Sequence, residues 1–291
     1  MTQLFFQFFV IHPIFKEADI SLALSPMNFF LLVLSTLLIT AGGNVINDVF
    51  DYKIDQINKG EKQILKTETN LGKAKVTYAI IVLIGAIISF FVAYDIANLK
   101  LFLIYPAAVS LLFIYSFKLK HIPIIGNVIV STFIALVIFI LVFAERVGVA
   151  NLAADHPDLY PKYFFLVYGF MWFAFITNWV REIIKDIEDI DGDKQNGSKS
   201  LPIVIGIKGA QIVSVILLIV LVITLVLVTM RHDPDRIVLQ QVYEFILLLI
   251  PLSFIRLVWR AVRKEQFHKL SQFLKLYMIL GLVYLLFYYN F

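Results

Sequence analysis

Long apolar runs separated by short polar joints fill the 291-residue chain, and the length of those runs identifies the solvent. An α-helix rises about 1.5 Å per residue and the hydrocarbon core of a bilayer is roughly 30 Å thick, so about 20 apolar residues cross it. Runs of that order fall at residues 27–49, 74–95, 99–117, 122–144, 161–189, 207–230, 239–262 and 269–290, with a shorter apolar piece at 4–15. They are too long and too weakly alternating for barrel strands, and a backbone in hydrocarbon must satisfy its own hydrogen bonds. The pattern predicts an all-α polytopic membrane bundle of nine transmembrane helices, the first of them short. No stretch is long enough for a soluble domain, so residues 1–291 read as a single intramembrane domain. Prolines agree with the spans: Pro26, Pro123 and Pro161 sit at starts and Pro106 predicts a kink, while Gly192, Gly197 and Gly206 mark a loop.

Composition narrows the chemistry. Apolar residues make up 60% of the chain and the mean hydropathy is +0.86, more than a water-facing surface permits. The absence of cysteine excludes disulfides, thiolate metal sites and cysteine nucleophiles. His12, His121, His156, His232 and His268 are scattered without metal-ligand spacing and read as interface or loop residues. A pI near 9 could suggest nucleic acid, but the basic residues lie in short loops between spans, so no nucleic-acid partner is expected. Of the 25 Lys and Arg, 19 fall after the second, fourth, sixth and eighth spans. The positive-inside rule puts those loops in the cytoplasm of a cell membrane. The N-terminus then also starts inside, which asks the first apolar piece to be a complete span.

Two acidic clusters stand on that cytoplasmic side. The second span closes with Asn44, Asn47, Asp48, Asp51 and Asp55, which share an arc of about 100° on a helix, one polar stripe. The sixth closes with Asn178, Arg181, Glu182, Lys185, Asp186, Asp189 and Asp193, an arc of about 140° if the helix continues past Gly192. Each could be a solvated helix end, or in the second case a charged face with neighbours paired one turn apart. A carboxylate at the bilayer centre costs roughly 2.5–3.5 kcal/mol, so several on one stripe call for water, a partner or a cation. Hard oxygen ligands suit Mg²⁺, which commonly bridges carboxylates to substrate phosphates. The oxygen donors of the two facing sets, Asp186 among them, are the candidate ligands for such an ion. Lys62, Lys118, Lys120, Arg181, Lys185 and Lys199 could clamp a diphosphate, although each could equally be a topology-setting surface charge.

Metal, diphosphate and an apolar cavity together imply ionisation of an allylic C–O bond, with the metal stabilising the leaving group. Tyr115, Phe117, Trp172, Phe175 and Trp179 are candidates to shield the carbocation, or simple packing residues. A cation transporter would instead place acids near the bilayer midplane, often in inverted repeats, and neither feature is present.

The segment NDVFDYKID resembles the first Asn-x-x-x-Asp-x-x-x-Asp signature of the UbiA superfamily of intramembrane prenyltransferases, and KDIEDIDGDKQNGSKSLPI resembles its second. The resemblance implies a nine-helix UbiA-like fold with motifs ending helices two and six. It implies catalytic and metal-binding roles for Asn47, Asp51, Asp55, Asp189 and Asp193, under active-site loops at about 50–73 and 190–206. YSFKLKHIPIIGN, residues 115–127, resembles the segment joining helices four and five and implies substrate-binding roles for Tyr115, Lys118 and Lys120. Asn178, Arg181, Lys185 and Lys199 are expected to join them. REIIKDIEDIDGDKQNGSKSLPI is most similar to the digeranylgeranylglyceryl phosphate synthase branch, which transfers a geranylgeranyl group from its diphosphate to the hydroxyl of a prenylated glycerol phosphate. An aromatic prenyltransferase of quinone synthesis is the other reading, so the acceptor is lipid-like or aromatic. Surrounding lipid is expected, and no obligate protein partner. Two departures stand out: NKGEKQILKT replaces the usual Arg-Pro-rich loop, leaving Lys62 in place of an arginine, and Met1-Thr-Gln opens directly into an apolar run. The second implies that residue 1 lies inside helix one.

Overall fold

A computed structural model describes residues 1–53, 65, 67–195, 197–230 and 238–289, side chains included to residue 286. Helices account for almost all of these and no strand occurs among them. The first, α1, covers residues 2–17 as Thr2–Phe6, a π-helical turn Gln7–Ile11 and His12–Glu17. Then follow α2 (Pro26–Phe50), α3 (Glu68–Asp95), α4 (Leu99–Phe117), α5 (Ile125–Ala144) and α6 (Arg146–Asp155). The chain continues through α7 (Tyr160–Glu188), α8 (Ile190–Gln195), α9 (Leu201–Thr229), α10 (Val238–Arg260) and α11 (Lys264–Tyr289). Eight of these, α2–α5, α7 and α9–α11, are long and apolar enough to cross a membrane.

Local chemistry explains the boundaries. The Ser25 hydroxyl accepts from the Asn28 amide and Pro26 takes the first position of α2, where its missing N–H costs nothing. Thr67 caps α3 through the Asn70 amide. The helical hydrogen-bonding of α4 breaks at Leu103 because Pro106 offers no N–H and its ring crowds the carbonyl one turn back. Two glycines depart from the expected loop: Gly192 lies inside α8, and Gly206 lies inside α9 at φ 77°, kinking it after its first turn. Only a residue without a Cβ adopts that conformation cheaply. The short helix α6 was not foreseen, because its ten residues carry no clear apolar period.

α1 is shorter than the complete first span that the charge count requires. Its 16 residues reach about 24 Å. The Gln3 amide donates to Thr36 Oγ1 (3.1 Å) and the Val137 carbonyl (3.2 Å), which places the start of α1 level with the middle of α2.

The bundle is organised around α7, which packs against α5, α9 and α11, while α2 packs against α3 and α4. Two apolar cores meet on it, one holding Phe6, Ile14, Leu141 and Tyr163, the other Val180, Ile184, Leu218 and Val258. Large apolar side chains also cover the outside, among them Leu83, Ile87, Phe90, Ile219 and Phe245. Such a continuous apolar exterior suits hydrocarbon rather than water. Successive crossings bring the ends of α2, α4 and α7 and the starts of α3, α5 and α9 to one face, the motif face.

Candidate active site

The motif face is built from four segments that converge on the last turn of α2. There Asn47 Nδ2 donates to Asp51 Oδ2 (2.8 Å), one turn apart on the predicted stripe. Asp51 is the C-cap of α2, so its carboxylate stands where the helix opens. Lys120, on the 3₁₀ turn Leu119–His121 between α4 and α5, forms an ion pair with Asp51 and donates to Asn47 Oδ1 at 3.3 Å. Both charged side chains are less than one-fifth exposed. The next residue on the turn, His121, contacts Ser198 Oγ through Nδ1 at 2.7 Å, beyond the second motif. Adjacent residues of one turn thus tie the two motifs together. Burial, with the Lys120 ammonium beside it, lowers the His121 pKa, so the imidazole is neutral and hydrogen-bonds as a neutral ring.

The second cluster sits across the same opening. Asn127, in the first turn of α5, donates to Asp186 Oδ2 at 2.9 Å, and Ser131 Oγ joins the Asn127 carbonyl to Asn178 Nδ2. Asn178 is therefore held in the α5–α7 interface, 2% exposed. α7 ends at Glu188 with Asp189 as its C-cap, and α8 resumes so that the Asp193 amide donates to the Asp189 carbonyl at 3.1 Å. The assumed continuation past Gly192 therefore holds with one break. Burial raises the Asp193 pKa, and the like charges of Asp189 and Asp51 add to it. Asp193 thus lies within electrostatic reach of acids from both motifs. Tyr115, in the last turn of α4, has Glu182, Asp186 and Asp51 as charged neighbours. Arg181 pairs with Glu182, and Lys185, whose side chain keeps open surface, has Glu182, Asp189, Arg181 and Asp186 as charged neighbours.

The structure brings Asn47, Asp51, Tyr115, Lys120, Arg181, Lys185, Asp186, Asp189 and Asp193 to one opening. Lys118 and Lys199 are exposed at its rim. Asp55 and Lys62 lie outside the described residues. Asn127, His121 and Ser198 were missed: nothing in one sequence announces partners 59 and 77 residues away. The aromatic candidates on α7 stack down one side of the helix, Trp172 to Phe175 at 6.1 Å and Phe175 to Trp179 at 5.5 Å. Phe117 instead packs on Phe50 at 5.5 Å and is 62% exposed. A cavity of about 140 Å³ opens between α7, α9, α10 and α11 at Gly169, Phe173 and Leu225, toward the face opposite the motifs.

The model of the UbiA prenyltransferase family matches residues 20–282, taking in both motifs and every span that frames them. The chain belongs to this family. It is 31% identical over 247 residues to the digeranylgeranylglyceryl phosphate synthase of Methanosphaera stadtmanae, covering 84% of this chain and 81% of that protein. The synthases of Pyrococcus furiosus and Thermococcus kodakarensis are 35% and 36% identical over 60% and 63% of the chain. Those two matches span 56% and 58% of the relatives' own lengths, a little over half. A solved structure of a digeranylgeranylglyceryl phosphate synthase superposes with TM-score 0.60 at 26% identity, covering 90% of this chain and 85% of the other. A UbiA homologue from Archaeoglobus fulgidus, solved with GPP and Mg²⁺, superposes with TM-score 0.58 over 98% of this chain and 93% of its own, at 17% identity, and shares the fold.

For a member of this family the donor set at the opening fits a magnesium ion. Among the described residues no three carboxylates or histidines stand close enough to form a finished cage. Mg²⁺ needs none, since it is commonly held by one or two carboxylates together with substrate phosphates and water. Hard oxygen donors from both motifs, Asn47 and Asp51 on α2 and Asp186 on α7 with its Asn127 partner, are the donor chemistry that suits such an ion.

Proposed function

We propose that the protein transfers a prenyl group, geranylgeranyl in the first instance, from its diphosphate to the hydroxyl of a prenylated glycerol phosphate, forming an ether. The supporting observation is the convergence of acids from α2 and from α7–α8 on one opening, where Lys120 holds Asp51 and the adjacent His121 meets Ser198 beyond the second motif. The names of the relatives and the GPP and Mg²⁺ of the Archaeoglobus homologue point the same way.

In this reading Asn47, Asp51, Asp186, Asp189 and Asp193 hold Mg²⁺, with Asp55 completing the first motif. The ion would neutralise the charge that develops on the diphosphate as it leaves. Lys120 clamps a diphosphate oxygen, with Lys118 and Lys199 at the rim, and Lys62 is assigned to the same clamp from the sequence. The allylic C–O bond breaks, the diphosphate takes the electron pair, and the α7 aromatics shield the cation from water. The acceptor oxygen then bonds to the allylic carbon and loses its proton. Residues 1–291 act as one intramembrane domain in the cell membrane with the site on the cytoplasmic side, where the basic residues gather; of the segments expected as loops, residues 68–73 belong instead to α3, 190–195 to α8 and 201–206 to α9.

The test is mass spectrometry of products from purified protein with Mg²⁺, geranylgeranyl diphosphate and a panel of acceptors. An ether of the glycerol phosphate acceptor is expected. Transfer to an aromatic acid with no ether would overturn the assignment in favour of quinone-type chemistry.

A further inference from the structure

The polar stripe of α7 divides into two halves that face different helices. With Arg181 set at zero and about 100° per residue, Glu182, Asp186 and Asp189 lie between roughly 80° and 140°. Arg181, Lys185 and Glu188 lie between about −20° and 40°. The carboxylate half turns toward α5, where Asn127 meets Asp186. The basic half turns toward α11, where His268 Nδ1 contacts Glu188 Oε1 at 2.9 Å.

α7 and α11 run antiparallel, so that contact fixes their register. Seven residues away from it on each helix, two turns or roughly 10 Å deeper, stand Arg181 and Lys275. Cation therefore lies level with cation. Lys275 has Arg181 and Lys185 as charged neighbours, against Glu182 and Glu188. Glu188 already meets His268, and Arg181 Nε is buried without a partner among the described residues. Basic side chains within an apolar span are costly and occur where an anion or water meets them. Arg181 pairs with Glu182 through Nη1 and acids also stand near Lys185, but Arg181 Nε is left without a partner and Lys275 faces the two cations, so the three basic groups on this side of the carboxylate cluster offer a place to an anion.

We infer that Arg181, Lys185 and Lys275 form a phosphomonoester subsite between α7 and α11 that holds the acceptor's glycerol phosphate beside the diphosphate. This rests on the function proposed above and names the element that would select a phosphorylated acceptor. Lys185 is the member of the basic half nearest the carboxylates, so an acceptor phosphate bound there leaves its hydroxyl end free to reach the diphosphate side.

The experiment measures transfer by the full chain, reconstituted in lipid nanodiscs, to the prenylated glycerol phosphate and to its dephosphorylated counterpart. Loss of one charge-assisted contact raises the KM for the phosphorylated acceptor about 10- to 100-fold in Lys275→Gln. The KM for the prenyl diphosphate moves less than about twofold, and Lys275→Arg recovers most of the loss. On the dephosphorylated acceptor, Lys275→Gln and the unaltered protein coincide, because the interaction is absent from both. An equal loss with both acceptors, or an unchanged KM in Lys275→Gln, overturns the subsite while leaving the proposed reaction intact. Failure of the unaltered protein to form any ether overturns the reaction and the subsite together. If Lys275→Gln fails to fold, the comparison of the two acceptors on the unaltered protein and on Lys275→Arg still decides: no preference for phosphate refutes the subsite.

Discussion

Replacing Lys120 by methionine separates the two jobs that the site gives this side chain. In the structure its ammonium neutralises Asp51 and donates to Asn47, with both charges largely removed from solvent. Breaking a buried ion pair by removing one partner costs about 3–5 kcal/mol. Residual exposure and the retained Asn47–Asp51 hydrogen bond reduce this, so Lys120→Met should lose about 2 kcal/mol of stability. Against the substrate the sign differs between ligands. A diphosphate loses one charge-assisted contact and should bind about 10- to 100-fold more weakly. Mg²⁺, no longer competing with an ammonium for Asp51, should bind as tightly as before or more so. Titrating Mg²⁺ and the prenyl diphosphate separately, with intrinsic fluorescence or calorimetry in detergent, reads both. If affinity for the two falls in parallel, Lys120 is not the counter-ion of Asp51 described above. Unchanged diphosphate binding would remove it from the substrate clamp.

Two further outcomes follow from the packing. The His121 pKa is lowered in the folded state, so the unfolded chain takes up its proton first as pH falls; the stability of the His121–Ser198 tie is present above about pH 6.5 and is lost as pH drops from there through the folded value. Thermal denaturation across pH 5–8 should show this slope in the unaltered protein and a flatter one in His121→Gln, and identical profiles would contradict it. At Gly281 an added Cβ would lie 2.4 Å from the Phe173 ring, so Gly281→Ala should destabilise the α7–α11 contact by about 1–3 kcal/mol, whereas Gly169→Ala, which meets nothing within 4 Å, should be close to neutral. Chemical denaturation of the two variants tests the contrast.

The spans were legible because hydrocarbon leaves a chain one local solution: each of the eight long helices overlaps one apolar run, with ends that differ by at most six residues, the largest differences being the polar first turns of α3 and α11 and the start of α9. The stripes were legible for the same reason: Asn47 and Asp51 share a helix face whatever packs against it. What the sequence could not supply was which face meets which neighbour. Lys120 could be ranked only as one of several rim lysines until its pairing with Asp51, 69 residues away, was visible. Likewise the stripe on α7 read as a single cluster, and only the His268–Glu188 contact reveals that its basic half faces another helix. Gly206 looked like loop composition because a kink inside a helix and a turn between helices use the same residue.

The account depends on the two motifs holding a single ligand. Mg²⁺-dependent binding of the prenyl diphosphate, measured in Asp51→Asn, Asp189→Asn and the double variant, tests that directly. If both carboxylates serve one metal–diphosphate complex, either substitution should remove nearly all the binding and the second should add little. Losses that simply add would mean two independent sites, and the chemistry proposed for this opening would be wrong.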